Sequence, residues 1–297
     1  MGVSRQRPRQ VAETPTAARQ FEFEVKRLAN SLMFGADPSR FVGSGLEYAE
    51  SRPYEPGDPV KSIDWRITAR TGKPFVKQFE AVRQVPIYLV VDTSASMCLT
   101  SLTSPSHMTP RETKYAWAVR LAAALARAAQ ERLSPVGLLG AGSHELHIRP
   151  TLSKRVSLQW AHQLRTHDFS QHTRLSRSLE TLAAVQKTSS LVLVLSDLQE
   201  DGVVGALEHL AVGHEAVTLW LEDPAERQLP ARGYFRGREA ETGRSFLLSR
   251  RTRYSKHESI RSALRDAGLE FLHLPIDEPV IPRLQHFLKH RKSLGHA

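Results

Sequence analysis

The stretch that decides the fold is residues 86–97, PIYLVVDTSASM, in which an apolar run ends at an acidic residue. The apolar part shows no alternation, which is typical of a strand that is buried on both faces of a parallel sheet. Asp92 closes the run, and Ser94 and Ser96 follow at every second position. Short polar side chains at such a place indicate either the N-terminal cap of a helix or part of a metal site.

A second apolar run, residues 190–197 (SLVLVLSD), also ends at an acidic residue, Asp197. In open α/β sheets ligands bind beyond the carboxyl ends of the strands, so acids at the ends of two central parallel strands would converge. Carboxylate and hydroxyl oxygens are the ligands that suit Mg²⁺ or Mn²⁺. The sequence therefore predicts a metal site that includes Asp92, Ser94, Ser96 and Asp197, with helix capping as the alternative.

The rest of the chain after residue 85 alternates between strand and helix patterns, which predicts a doubly wound, mainly parallel α/β sheet. The polar, alternating residues 144–149 (HELHIR) predict an antiparallel edge strand. The predicted strands are residues 87–92, 135–142, 190–197, 216–222 and 269–275, and the predicted helices are residues 113–133, 153–165, 175–186, 203–211, 256–267 and 279–291.

The N-terminal part does not show the strand-helix alternation, and the chain is expected to divide into three segments. Residues 1–16 are polar and basic, which is typical of a flexible tail. Residues 17–84 are expected to form an N-terminal helix followed by a β-rich subdomain, and residues 85–297 an α/β domain. The helix is predicted from the spacing of its apolar residues, which are Phe21, Val25, Leu28 and Leu32.

The composition restricts the class of protein. The single cysteine among 297 residues excludes a disulfide framework and a cysteine-rich zinc site. No segment has the length and apolar character of a membrane span, and the N-terminus lacks the apolar core of a signal peptide, so a soluble, cytoplasmic protein is expected. The net charge of +10 favours anionic partners. Since no serine-hydrolase, phosphate-loop or dinucleotide motif is present, we do not expect an enzyme.

Residues 43–80, GSGLEYAESRPYEPGDPVKSIDWRITARTGKPFVKQFE, resemble the signature of the bacterial domain of unknown function 58 family. Residues 221–244 resemble a later segment of that family, and DTSAS with its later SD resembles the metal-ion-dependent adhesion site of von Willebrand factor A domains. The resemblance implies a von Willebrand A-like domain with an N-terminal β-rich elaboration. It also implies a protein-protein interaction module that works with a MoxR-type AAA+ ATPase in protein remodelling or maturation.

The resemblance also implies roles for the residues of the site. Ser94 and Ser96 would bind the metal directly, while Asp92 and Asp197 would act largely through water. A threonine between the two acid-bearing strands would complete the ligands. Thr173, in FSQHTRLSRSLETL, is the best match to it, and Thr166 is the alternative. The open position would take a carboxylate of a partner protein.

Three further expectations come from the residues themselves. A phosphohydrolase that uses the two acids and Mg²⁺, and a non-specific nucleic-acid binder that uses the positive charge, remain alternatives to the interaction module. Within the N-terminal segment, Trp65 is expected to anchor a core, with Asp64 pairing to a nearby arginine. The alternative is that Asp64, Trp65, Arg66 and Arg70 form a partner surface.

Overall fold

The computed structural model describes residues 15–33, 46–81, 85–98, 113–141, 146–167, 174–223, 235–238, 245–248 and 250–290. Its helices are α1 (Pro15–Met33), α2 (Trp65–Thr71), α3 (Lys114–Glu131), α4 (Lys154–Arg165), α5 (Leu175–Val185), α6 (Val203–Ala211), α7 (Arg250–Asp266) and α8 (Val280–His290). Its strands are β1 (Leu46–Pro53), β2 (Phe75–Ala81), β3 (Ile87–Asp92), β4 (Val136–Ala141), β5 (Leu146–Thr151), β6 (Leu191–Ser196), β7 (Glu215–Glu222), β8 (Phe235–Arg238), β9 (Ser245–Leu248) and β10 (Glu270–Pro275).

Six of these strands form one sheet in the order β10-β7-β6-β3-β4-β5. The first five run parallel to one another, and β5 pairs antiparallel with β4 at the edge. The prediction of a mainly parallel α/β sheet with an antiparallel edge strand is therefore confirmed. Every residue of β3, β4 and β6 is buried, which explains why these strands are continuously apolar.

The sheet has a hydrophobic core on each face. Along β3, Ile87, Leu89 and Val91 point into a core that is covered by α1, α3, α4 and α8. Tyr88 and Val90 point the other way, into a core that is covered by α5, α6 and α7. Helices on both faces make this a doubly wound arrangement, in which the strand ends are the natural place for a crevice.

Helix α1 packs against the α/β domain. Its buried side chains include Phe21, Val25 and Leu32, which join the core beside α3, and Leu28 is partly buried against it. The predicted amphipathic face is confirmed. By its packing, α1 belongs with the sheet rather than with the β-rich segment that follows it in the chain.

The N-terminal segment contains an antiparallel hairpin of β1 and β2, with α2 between the two strands in sequence. The turn before α2 is fixed by Arg52, whose two terminal nitrogens donate to the Asp58 carboxylate at 2.8 and 2.6 Å. Gly57 supplies the left-handed backbone that this turn requires, with φ 113°.

The prediction for Trp65 is wrong, because its side chain is 68% exposed. No arginine side chain of the described residues pairs with Asp64, which instead caps α2. Its Oδ1 accepts from the backbone N–H groups of Arg66 (3.1 Å) and Ile67 (3.2 Å), and its Oδ2 accepts from the Ser51 hydroxyl (3.0 Å). This cap fixes α2 on the hairpin and leaves Trp65, the first helical residue, on the outer side.

The segment between β7 and β10 differs from its prediction. Helix α7 begins at Arg250 rather than at residue 256, and β8 and β9 pair antiparallel within a stretch for which no strand is predicted. Residues 250–256 are mostly basic and polar, so no apolar period marks the start of the helix. The family-like residues 224–234 and 239–244 lie outside the described residues, as does the predicted tail up to residue 14. Within the described part of the chain, no helix is long and apolar enough to cross a membrane.

Candidate metal and partner-binding site at the strand ends

The candidate site lies where the direction of the sheet reverses. β3 is followed in the chain by β4 on one side, while its neighbour on the other side is β6. β3 ends at Asp92 and β6 ends at Ser196, and the two strands are parallel with Val91 opposite Leu195. Asp92 and Asp197 therefore leave neighbouring strand ends at the topological switch point, the usual ligand crevice of such sheets.

Four of the predicted site residues form one hydrogen-bonded cluster. The Ser94 and Ser96 hydroxyl oxygens lie 3.0 Å apart. Ser96 Oγ donates to Asp197 Oδ1 at 3.2 Å, and the Ser94 backbone N–H donates to Asp92 Oδ1 at 2.8 Å. The loop that follows β3 thus returns both serines to the acids at the strand ends, as the alternating spacing predicts.

The two acids of the cluster are more deeply buried than its two serines. Asp92 is 3% exposed and Asp197 is 0% exposed, whereas Ser94 and Ser96 are only partly buried. Carboxylates so far from water need compensation by cations or by hydrogen-bond donors. The hydroxyl groups are the part of the site that a ligand from solution would meet first.

Asp92 carries the electrostatic cost of this arrangement. Burial and, to a smaller extent, the nearby negative charge of Asp197 raise its pKa to about 6. The Ser196 hydroxyl, which donates to Asp92 Oδ2 at 2.6 Å, and the Ser94 N–H oppose this rise. The site therefore holds more negative charge than its own donors neutralise.

Sequence analysis did not identify Lys114 as part of the site. Its Nζ donates to Asp197 Oδ2 at 2.6 Å, and both side chains are completely buried. Lys114 opens α3 directly after the capping residue Thr113. A cation in the first turn of a helix is unfavourable for the helix dipole, so its presence there was a signal for a buried acidic partner.

Two further residues were missed. Ser196 links the acids to the backbone, because its hydroxyl donates to Asp92 and accepts from the Leu198 N–H at 2.9 Å. The Glu200 carboxylate accepts from the Leu175 N–H at 2.6 Å, so the loop after β6 holds the start of α5 beside it.

The structure does not bring Thr166 to the cluster. It caps the C-terminus of α4, is exposed, and donates its hydroxyl to the Gln163 carbonyl at 3.0 Å. Thr173 lies outside the described residues, immediately before Arg174.

The residues present fit a small divalent cation. Ligands about 2.1 Å from Mg²⁺ at right angles to each other are about 3.0 Å apart, which is the observed separation of the two serine oxygens. The charges of Asp92, Asp197 and Lys114 sum to −1, so one negative charge remains for a cation. Among the described residues, no group of three or more His, Cys, Asp or Glu side chains is arranged to hold a metal. A metal here would therefore depend on the hydroxyl groups.

Known proteins resemble this chain over most of its length. Uncharacterized proteins of Mycobacterium tuberculosis and Mycobacterium bovis are 27% identical over 293 residues, which cover 93% of this chain and 89% of theirs. Among solved structures, the SpRpn10 VWA domain is 10% identical, with a TM-score of 0.37, and the match covers 67% of this chain and 93% of that one. An uncharacterized membrane spanning protein from Vibrio fischeri is 14% identical with a TM-score of 0.25, covering 63% and 89%.

The family profile described as "Protein of unknown function DUF58" matches residues 50–267, which include the hairpin with α2, the acidic strand ends and Lys114. Because this match spans well over half of the chain, the protein belongs to the DUF58 family.

Proposed function

We propose that the protein is a non-enzymatic interaction module whose strand-end crevice binds a carboxylate of a partner protein in the presence of Mg²⁺ or Mn²⁺. The observation that carries this proposal is the pair of partly buried serine hydroxyls, 3.0 Å apart, beside two buried carboxylates. Hydroxyl and carboxylate oxygens at this spacing suit a hard divalent cation.

The charge balance explains why binding would depend on the cation. With Lys114 paired to Asp197, the crevice has a net charge of −1 and repels an approaching carboxylate. A divalent cation would reverse this net charge to +1 and supply the attraction for an acidic group. The same residues thus exclude an acidic partner without the cation and accept it with the cation.

Each residue of the cluster would have its own role in holding the cation. Ser94 and Ser96 would hold the ion directly, with Thr173 as the further hydroxyl, and Asp92 and Asp197 would hold its water ligands. Lys114 orients Asp197 through its 2.6 Å contact. Ser196 orients Asp92 through the 2.6 Å hydrogen bond.

The partner we propose is a MoxR-type AAA+ ATPase in the cytoplasm, in an assembly that remodels or matures other proteins. The family resemblance of residues 43–80 supports this choice, and the net charge of +10 is compatible with an acidic protein surface.

The test is co-purification of the protein with the MoxR-type ATPase of its own genome, in Mg²⁺ and in EDTA. We expect retention in Mg²⁺, release in EDTA, and no retention of Asp92→Ala in either. Asp266→Ala is the matched control, because Asp266 is exposed and lies before the N-terminal end of β10, whereas the site lies at the carboxyl ends of the parallel strands. Retention of the ATPase in EDTA would contradict metal dependence, and Mg²⁺-dependent turnover of a phosphate ester that Asp92→Ala abolishes would favour a phosphohydrolase.

A further inference from the structure

A second surface of the molecule has the features of a binding site, and it lies on α2. Two large apolar residues in residues 60–71, which contain α2, face solvent. Trp65, the first residue of α2, is 68% exposed, and Val60, which precedes the helix in the chain, is 65% exposed. Residues of this size are usually buried, and a solvent-exposed tryptophan marks an interaction site more often than a lone exposed aliphatic residue does.

Four of the exposed residues of α2 fall on one side of the helix, namely Trp65, Arg66, Ala69 and Arg70. Residues four apart are neighbours on a helix, so Trp65 with Ala69 and Arg66 with Arg70 form two adjacent rows. Ile67 and Thr68 are only partly exposed, and Thr71, the last residue of the helix, is exposed away from these rows. We call the two rows of Trp65, Arg66, Ala69 and Arg70 the Trp65 face.

The helix is held firmly enough to present this face. Asp64 caps its start, and Thr68 Oγ1 accepts from the Phe75 N–H at 3.0 Å, which ties the inner side of the helix to β2. Gly72 ends it in a left-handed conformation with φ 70°. Trp65 is therefore displayed on a fixed support, which lowers the entropy lost when a partner binds.

The two charged side chains of the Trp65 face, Arg66 and Arg70, are both basic. Between Val60 and Lys77 the chain carries five basic side chains and a single acidic one, Asp64. The Asp64 carboxylate is buried, so it does not screen the surface. Within the described part of the chain, no carboxylate forms an ion pair with Arg66 or Arg70. The surface is thus complementary to a negatively charged partner.

The exposed tryptophan of the Trp65 face favours a protein partner over a nucleic acid. Tryptophan and arginine are the residues most enriched where truncation weakens protein-protein binding. Single-stranded nucleic acids are usually bound by several aromatic platforms along a groove, whereas Trp65 is the one exposed aromatic residue among the side chains that the structure describes in this segment.

From these observations we infer that the Trp65 face is a docking site for an acidic segment of a partner protein. An apolar side chain of that segment covers Trp65, and its carboxylates pair with Arg66 and Arg70. This site does not depend on the proposed metal-dependent crevice, and α2 would retain its partner when the crevice is inactive.

The test measures fluorescence anisotropy in EDTA, so that a metal-dependent crevice cannot contribute. The probes are a labelled glutamate-rich peptide with interspersed leucines, the same peptide with lysine in place of glutamate, and an oligothymidine of similar length. We expect the acidic peptide to bind best, and Trp65→Ala to weaken it by about tenfold or more. Arg66→Gln with Arg70→Gln should weaken it and reduce its salt dependence.

Val212→Ala and Arg265→Gln are the matched controls, because both side chains are exposed on other helices or turns. They should bind the acidic peptide as the unaltered protein does, and the thermal unfolding of every variant shows whether it is folded. Equal binding of the acidic and basic peptides, absence of binding, or no effect of Trp65→Ala would overturn the inference. Tighter, Trp65-dependent binding of oligothymidine would overturn it in favour of a nucleic-acid site.

Discussion

Asp92 is the residue on which the account depends most, because it is a buried carboxylate beside a second one. Its pKa is raised to about 6 by burial and by the charge of Asp197. Ionised Asp92 is therefore less stable in the metal-free folded protein than in the unfolded chain, and this difference lowers the free energy of unfolding. This loss of stability is absent below the ordinary pKa of 3.8 and complete above the raised value.

Asp92→Asn should thus stabilise the metal-free protein at neutral pH. Asparagine keeps an acceptor for the Ser94 N–H and offers a donor to Ser196, while it removes the charge. The melting temperature of Asp92→Asn should exceed that of the unaltered protein at neutral pH. This difference should shrink as pH falls through about 6 and vanish at about pH 4. Melting curves in EDTA across this range check it, and a variant that is less stable at neutral pH would contradict the account of Asp92.

Lys114 should be the most costly residue of the site to remove. Truncation of one partner of a buried ion pair leaves the other charge uncompensated and costs about 3–5 kcal/mol. Lys114→Met should therefore lower the free energy of unfolding by about this amount, because Asp197 remains completely buried.

Urea unfolding in EDTA measures the effect. Asp197→Asn on the Lys114→Met background should recover a large part of the lost stability, since it removes the unpaired charge. Simple addition of the two single losses would show that the 2.6 Å contact does not couple the residues.

Four residues of the site could be predicted from sequence, namely the two acids that close apolar runs and the two serines that follow the first acid. Asp92 and Asp197 each close an apolar run, and parallel neighbours bring such ends together. Lys114 and Ser196 could not be assigned in the same way. The Lys114 contact joins positions 83 residues apart and depends on how α3 packs beside the sheet.

At the scale of the elements, the close pairing of β3 and β4 depends on a glycine. Gly137 lies opposite Tyr88, and a Cβ at this position would come within 2.4 Å of the tyrosine ring. The ring cannot easily move, because its hydroxyl donates to Gln186 at 3.0 Å. The glycine therefore makes room for the ring within the sheet.

Gly137→Ala should destabilise the fold by about 1–3 kcal/mol through overpacking. Gly205→Ala is the matched control, since Gly205 lies in α6 with nothing within 4 Å of an added Cβ. The control should raise stability by about 0.5–1 kcal/mol, because alanine is the better helix former. Urea unfolding of both variants tests this, and equal effects would contradict the packing described for Tyr88.

Elements with a strong apolar period could be predicted closely, and polar ones could not. α6 was expected at residues 203–211 and is found at Val203–Ala211. The start of α7 was predicted too late, because the first residues of the helix show no apolar period in the sequence. The exposure of Trp65 corresponds to the less favoured of the two predictions, because tryptophan is usually an anchor of a core.

At the scale of the whole molecule, this DUF58 protein combines a six-stranded α/β sheet with a hairpin of β1 and β2 that has α2 between its strands in sequence. The sheet places acids, hydroxyls and a buried lysine at its switch point. The hairpin displays Trp65 and two arginines on α2. An adaptor with two such surfaces could hold a partner through one of them while the other responds to metal.

The most direct test of the central claim is the free energy of unfolding in EDTA and in Mg²⁺ or Mn²⁺. A cation that binds only the folded protein stabilises it by about 2.7 kcal/mol at a concentration of 100 times its dissociation constant. We predict a gain of this kind for the unaltered protein and for Asp266→Ala, and its loss in Asp92→Ala and Ser94→Ala. Identical unfolding curves in EDTA and in either metal at millimolar concentration would contradict a metal site at the strand ends.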